Sequence, residues 1–277
     1  MACNPAIKYA GSKRKLLPEI LKYMPIKTQL IVEPFCGSAA LSFSQDKDFI
    51  INDSSEELIN FYEVLQFRTD EFIENLKKLD RGTKFKDVYL KFRNMDRVEN
   101  FKDVTSTIDR AIRYYYIIRT GFNGLYRVNG SGYCNTPFGD RYYTTDEPTL
   151  RAAAYHLEDH CNDYSSYQFD DERLLAIVDN PSETFIFIDP PYQDGDDGKH
   201  VYQEYTTDKI NEEFYQRLDK YLDKLDSEGY KFLMTNTYCK FITDRFSRFN
   251  IDKVPTKYSI AADGESRGVK FEAFVHN

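Results

Sequence analysis

The chain has 277 residues, 41% of them hydrophobic, enough for one large α/β domain or two smaller ones with an ample core. No apolar run approaches the ~20 residues of a membrane span. The amino-terminal MACNPAIKYAGSK lacks the charged and apolar regions of a secretion signal. Five scattered cysteines, four histidines and no CxxC pair predict reduced thiols in a cytoplasmic protein without a metal site. The net charge of −8 argues mildly against nucleic acid as a partner, but the charge is uneven. In residues 1–32 the bases Lys8, Lys13, Arg14, Lys15, Lys22 and Lys27 face Glu19 alone. Residues 110–139 carry Arg110, Arg113, Arg119 and Arg127 and no acid. Such runs are either solvated faces or local basic surfaces for a polyanion.

In chain order, KLLPEILKYM spaces Leu16, Leu17, Ile20, Leu21 and Met24 as a helix. QLIVE (residues 29–33) predicts a buried strand, AALSFS opens a helix, and DFIIND predicts a second strand ending at Asp53. SSEELINFYEVL predicts a helix with a capping box from Ser54 to Glu57. From about Thr69 to Pro148 the chain turns aromatic and basic. That stretch holds the helical DRAIRYYYIIRT and a hairpin signal, LYRVNGSGYCNTPFG, two short β-like runs about a glycine-rich turn. TFIFID is a strand. The segment TTDKINEEFYQRLDKYLDKLDSEG is a helix capped by Thr207, with Ile210, Phe214, Leu218, Leu222 and Leu225 apolar and Gly229 at its stop. YKFLMTN is another strand, and TKYSIAADGESRGVKFEAFV a closing hairpin around Asp263 and Gly264. The plan is an α/β sheet interrupted by an inserted aromatic and basic module. Ligands of such sheets bind at the carboxyl ends of the strands, where EPFCGS, NDSS and DPPY fall.

VEPFCGSAAL passes from strand to acid to a turn of small residues to helix. Gly37, Ser38 and Ala39 would let a ligand approach the backbone, although GxGxxG is missing and an ordinary turn has the same look. Asp53, twenty residues after Glu33, is placed to take ribose hydroxyls or simply to cap a helix. Gly11-Ser12-Lys13 lacks the upstream strand and glycine of a triphosphate loop. Lys13 is left as a partner for a ligand carboxylate or as part of a basic loop. FIFIDPPYQ ends an apolar strand in a carboxylate, two prolines and a ring. Pro190 before Pro191 is held extended, which fixes its carbonyl direction. Asp189, the Pro190 carbonyl and the face of Tyr192 together suit an exocyclic amine on a flat ring. Two hydrogen bonds accepted from that amine would localise its lone pair, with no thiolate and no metal required.

Here the chain resembles the Dam-type (D12 class) site-specific DNA adenine-N6 methyltransferases. KYAGSK, VEPFCGS, NDSSEELINFY, FNGLYRVN with NTPFG, and DPPY follow that family's order over nearly the whole chain. The resemblance implies a Rossmann-like, S-adenosylmethionine-dependent methyltransferase sheet in residues 1–60 and 151–277. Residues 61–150 would be an inserted, mainly helical target-recognition domain carrying a β-hairpin. It implies catalysis by Asp189, Pro190 and Tyr192. It implies cofactor contacts from Tyr9, Lys13, Pro34, Cys36, Gly37, Asp53 and Asp189, and from Asp170 or its neighbour Asp171 at the cofactor adenine. The partner would be double-stranded DNA, bound by a monomer. Phe122 and Asn123 match positions that fill the gap left by a flipped adenine. Arg127 matches a reader of guanine, Leu125 and Pro137 match contacts to a thymine methyl, and Lys8 a contact to the guanine before the adenine. A GAT-containing site follows, GATC first. Three departures stand out: Tyr9 where tryptophan is common, Ala39 where a second glycine is usual, and Phe169-Asp170-Asp171 in place of Asp-Phe. Residues 193–205 (QDGDDGKHVYQEY) are expected to form a mobile lid. An RNA or protein-glutamine methyltransferase would share the xPPY corner but has no use for FNGLYRVN, and a silent DNA-binding module has no use for an intact DPPY.

Overall fold

The computed structural model describes residues 1–80, 85–192, 211–256 and 270–277, with backbone alone for Lys270. The expected lid, Thr207, and the tip of the closing hairpin lie outside the described residues. In chain order the elements are α1 (Leu17–Ile20), β1 (Leu30–Glu33), α2 (Ala40–Phe43), β2 (Asp48–Asn52), α3 (Glu56–Phe67), α4 (Thr69–Lys77) and α5 (Lys86–Asn94). Then follow α6 (Phe101–Val104), α7 (Thr107–Thr120), α8 (Glu147–His160), β3 (Cys161–Ser165), β4 (Thr184–Ile188), α9 (Glu212–Ser227), β5 (Lys231–Thr237), α10 (Lys240–Arg245), β6 (Asn250–Thr256) and β7 (Lys270–His276). The strands form one sheet in the order β3-β2-β1-β4-β5-β7-β6. The first five are parallel, and β7 runs antiparallel to both neighbours. This mixed α/β sheet fits a methyltransferase fold.

The central strands are apolar without alternation because both faces of the sheet are covered. Ile31, Phe49, Ile51, Phe185, Phe187 and Leu233 pack with Leu58, Phe61, Tyr62 and Leu65 of α3. Val32, Ile50, Ile186, Ile188, Phe232 and Met234 face the other way, onto Phe214, Leu218, Leu222 and Leu225 of α9. The first cluster continues without a break into Tyr89, Tyr114, Tyr115 and Ile117, so the middle helices share its apolar core.

The chain reverses its direction of building between β1 and β4, which opens a crevice at their carboxyl ends. Because β7 is antiparallel, its amino end comes to the same edge, with Glu272 opposite Thr237 of β5.

Several local expectations are corrected. Ser54 and Glu57 make no capping box. Asp53 Oδ1 takes the Ser55 N–H at 3.0 Å instead, and Glu57 is drawn off by Arg110 at 2.6 Å. The described helix α9 is capped by Asn211, whose Oδ1 accepts from Phe214 N at 3.0 Å. KLLPEILKYM winds only a 3₁₀ turn (Lys13–Leu16) and the four residues of α1. The hairpin segment LYRVNGSGYCNTPFG, by contrast, does pair its two arms antiparallel, through the isolated bridge Val128 to Cys134, and a second bridge joins Gly121 to Phe138. The four arginines of residues 110–139 are not all a basic surface. Arg110 pairs with Glu57, and the wholly buried Arg113 binds Asp96 at 2.5 Å, Tyr126 OH at 2.7 Å and the Phe92 carbonyl at 2.9 Å.

Candidate active site

Strand β1 ends at Glu33, and Pro34 to Ala39 fold tightly over the crevice. Gly37 has φ of +47° and Ala39 +49°, both left-handed. Gly37 meets the need without a Cβ, whereas Ala39 holds this conformation with a buried methyl group. A Cβ built on Gly37 would stand 2.8 Å from Cδ1 of Tyr9, so the tyrosine ring closes directly over the loop. Tyr62 OH donates to the Gly37 carbonyl at 2.9 Å, and the hydroxyls of Ser12 and Ser38 meet at 2.8 Å. Beneath the loop, Glu33 accepts from Ser42 N at 2.9 Å and from Ser42 Oγ at 2.5 Å. Burial nevertheless pushes the Glu33 carboxyl up to about 7.

Asp53 follows β2. Its Oδ2 accepts the Gly37 N–H at 3.1 Å, which ties the loop to the second strand. Burial raises its pKa, and the N–H groups of Ser55 and Gly37 work against that rise. The fully buried Asn52 braces the same place: its Nδ2 donates to the Pro34 and Tyr167 carbonyls at 2.9 and 3.1 Å, and its Oδ1 accepts from Ser165 Oγ and Tyr167 N. Cys36 is buried, and its thiol is pushed well above the ordinary range, so it offers no thiolate.

Strand β4 delivers Asp189, whose side chain is 19% exposed. Lys13, only 8% exposed, reaches Asp189 Oδ1 at 2.9 Å and the Gly11 carbonyl at 2.9 Å. Thr235 of β5 donates to the same Oδ1 at 2.7 Å. Lys13 Nζ also stands 4.5 Å from the centre of the Tyr192 ring, and Tyr192 OH donates to Glu272 Oε2 at 2.9 Å. The structure therefore joins Tyr9, Lys13, Pro34, Cys36, Gly37, Asp53, Asp189 and Tyr192 through direct contacts or through Asn52 and the loop backbone. Pro190 is buried next to Asp189.

Asp170 stands apart from this group, paired with Arg217 of α9, whose Nε reaches its Oδ2 at 2.7 Å. Asp171 is held by Arg173 at 2.7 Å and caps a 3₁₀ turn, Glu172–Leu174. The preceding Phe169 stacks on Phe35 with ring centres 5.0 Å apart.

The residues expected to meet DNA sit on the doubled-back segment, except the exposed Lys8. Phe122 is 51% exposed despite its size. Asn123 beside it is left-handed at φ +56° and exposed. Phe122 N donates to the Pro137 carbonyl at 2.9 Å, and Arg127 N to Thr136 Oγ1 at 2.9 Å, so these residues are set on adjoining arms. Leu125 and Arg127 are partly exposed.

Sequence reading missed Asn52, Thr235 and Glu272. A signal existed for the last, a lone acid in the apolar run FEAFV. Asp46 and, on α8, His156 and His160 bring one donor atom each within 4.8 Å of one another. There Asp46 is held by the amino terminus at 2.9 Å and His156 Nε2 lies 3.1 Å from the Ser42 carbonyl. Among the described residues no helix is long and apolar enough to cross a membrane. All five cysteines are free.

Comparison with known proteins adds to this geometry. The family described as D12 class N6 adenine-specific DNA methyltransferase matches residues 9–260. The chain is 32% identical to the Type II methyltransferase M1.LlaDCHI of Lactococcus lactis subsp. cremoris, over 99% of this chain and 95% of that protein. It is 30% identical to the Type II methyltransferase M.MjaIII of Methanocaldococcus jannaschii, over 96% of each. It is 28% identical to the DNA adenine methylase of Escherichia coli K12, over 94% of this chain and 90% of that one.

Proposed function

The chain belongs to the D12 class N6 adenine-specific DNA methyltransferases, and from that premise we propose that it methylates the N6 amino group of an adenine flipped out of a short duplex site, GATC or another GAT-containing sequence. When bound, S-adenosylmethionine supplies an electrophilic methyl group on a sulfonium that leaves as a neutral thioether. The residues present fit this group. A loop of small residues gives backbone access, an aromatic ring closes over it at Gly37, and the Asp53 carboxylate, bound to that loop, would be the acceptor for hydroxyls. Tyr9, Lys13, Pro34, Cys36, Gly37 and Asp53 would hold it. Asp170 or Asp171 would meet the cofactor adenine, Asp170 on leaving Arg217 and Asp171 on leaving Arg173.

The observation that carries the reading is Asp189, anchored by Lys13 and Thr235 at the mouth of the β1/β4 crevice, with Tyr192 close by. Asp189 and the Pro190 carbonyl accept the two amino protons of adenine, which turns the N6 lone pair out of the ring. Tyr192 stacks on the base. The Asp189 carboxylate is also the base within reach of the proton that N6 must lose. Fixed acceptors and orientation supply the lowering of the barrier. Residues 61–150 act as the recognition module, with Phe122 and Asn123 filling the gap in the duplex, Arg127 reading a guanine, Leu125 and Pro137 touching a thymine methyl, and Lys8 meeting the preceding guanine. An exposed phenylalanine next to a left-handed asparagine suits insertion into a stack, since unstacking a base costs a few kcal/mol that the ring offsets in part. The protein is read as a cytoplasmic monomer. Labelled S-adenosylmethionine and duplex DNA test the activity, with label expected on adenine N6. Methylation sequencing of DNA from an expressing, methylation-free host gives the site. Label on cytosine, on RNA or on protein would overturn the reading.

A further inference from the structure

We propose that Thr235 and Glu272, buried side chains on β5 and β7, are positioning residues that set which atom of Asp189 the target base meets and hold the Tyr192 ring in place for it. The proposal rests on the methyl-transfer reading above and specifies how that site is held.

Asp189 receives two donors on one oxygen. Thr235 Oγ1 lies 2.7 Å from Oδ1 and Lys13 Nζ 2.9 Å from the same atom. Among the described residues Oδ2 takes no hydrogen bond. A carboxylate turns easily about its last torsion, which is broad and two-fold, and two donors on one atom stop that turn. Oδ1 is thus an anchor, and Oδ2 is the acceptor left for an amine arriving in the crevice. The strand pattern explains why the anchor is available. β5 runs parallel to β4, with Ile188 paired to Met234, so Thr235 follows at the level of Asp189. Thr235 is fully buried, and its hydroxyl would be costly there without a partner.

Tyr192 is held in two ways. Its hydroxyl donates to Glu272 Oε2 at 2.9 Å, and the Lys13 ammonium stands over the ring, 4.5 Å from its centre. A cation therefore stands over the ring and the tip is tethered, which fixes the plane the ring presents to a base. The two prolines fix the backbone of the corner but not the side-chain torsions of Tyr192, and Glu272 supplies that restraint. Glu272 is 2% exposed and lies opposite Thr237 of β5 and Val254 of β6. Lys13 touches both halves of the arrangement, so the carboxylate and the ring are set relative to each other as well as to the sheet.

The test uses the full chain and the duplex that the wild-type enzyme methylates. Four variants form two pairs: Thr235→Val against Thr235→Ser, and Glu272→Leu against Glu272→Gln, where serine keeps the donor and glutamine keeps an acceptor. Three readouts are taken: the single-turnover rate of methyl transfer, the S-adenosylmethionine dissociation constant, and the fluorescence of a duplex carrying 2-aminopurine at the target position. Thr235→Val should lower the transfer rate roughly 10–100-fold, the size expected for a hydrogen bond to a charged group, with cofactor affinity and melting temperature close to wild type. Thr235→Ser should restore most of the rate. Glu272→Leu should slow transfer and raise the 2-aminopurine emission, because the base is no longer quenched against a fixed ring, and Glu272→Gln should reverse both effects. Rates within threefold of wild type in Thr235→Val and Glu272→Leu overturn the proposal. So does a loss of folding that serine and glutamine fail to rescue, which would make both residues structural. Absence of transfer by the wild-type enzyme overturns the methyl-transfer reading itself, and the proposal with it.

Discussion

Gly37→Ala is expected to destabilise the protein and weaken cofactor binding through two separable effects. The first is backbone strain. At φ of +47° an L-residue pays about 1–2 kcal/mol that glycine does not. The second is contact: the new Cβ would lie 2.8 and 3.1 Å from Cδ1 and Cε1 of Tyr9, closer than carbon atoms pack, so the ring must swing or the loop must lift. Alanine also narrows the unfolded ensemble, which returns about 0.4–1 kcal/mol. The balance is a loss of about 1–2 kcal/mol, or roughly 2–8 °C in melting temperature for a chain of this size. Denaturant unfolding and calorimetric titration of S-adenosylmethionine measure the two consequences. The cycle with Tyr9→Ala separates the causes. In the Tyr9→Ala background the contact is gone and only strain remains, so Gly37→Ala should be milder there by at least ~0.5 kcal/mol, the coupling found for residues in contact. An equal loss in both backgrounds would refute the idea that Tyr9 closes on the loop.

Glu33→Gln should change the pH dependence of stability. Burial lifts the Glu33 carboxyl from 4.5 to about 7, so the folded state holds its proton where the unfolded chain has lost it. That contribution is full below pH 4.5 and is lost as pH rises through 7. The wild-type minus variant stability should therefore fall by on the order of 3 kcal/mol between pH 4.5 and 7.5, and a flat difference in urea titrations would count against it. Arg113→Met should cost about 3 kcal/mol in unfolding free energy, the low end for a broken buried pair, because Arg97 keeps its hold on Asp96 Oδ1 at 2.8 Å. A loss under 1 kcal/mol would show that the pair is not a brace. Arg127→Ala should slow methylation of the cognate site by roughly 1–3 kcal/mol and relax discrimination at one base pair. Rates on single-base variants of the site check this, and a uniform fall with unchanged preference would mean a phosphate contact instead.

Parts of this structure are legible in the amino-acid order and parts are not, for physical reasons. β1, β4 and β5 read plainly because strands covered on both faces must be apolar throughout. The loop after β1 and the DPPY corner read plainly because small residues, prolines and an acid rarely meet at a strand end by chance. Caps read poorly. Ser54, Ser55 and Glu57 satisfied a local pattern, yet Arg110, 53 residues on, won the glutamate. The arginines of α7 looked like surface charge, because sequence does not show that Asp96 and Glu57 lie against them. Thr235 and Glu272 stand 46 and 80 residues from the side chains they hold, and no local rule reaches that far.

The reversed direction of β7 also orders events on the ribosome. Glu272 is synthesised 35 residues after Thr237, the end of β5, which at ~5–20 residues per second is a delay of roughly 2–7 s. During that interval β5 is an open edge bearing Phe232, Leu233 and Met234, ready to pair with any extended chain nearby. When β7 arrives it closes that edge and tethers Tyr192 in the same act. Once β5 is made, a nascent chain thus exposes this apolar edge until the final restraint on its reactive corner arrives, and protection against aggregation and competence for chemistry are reached together.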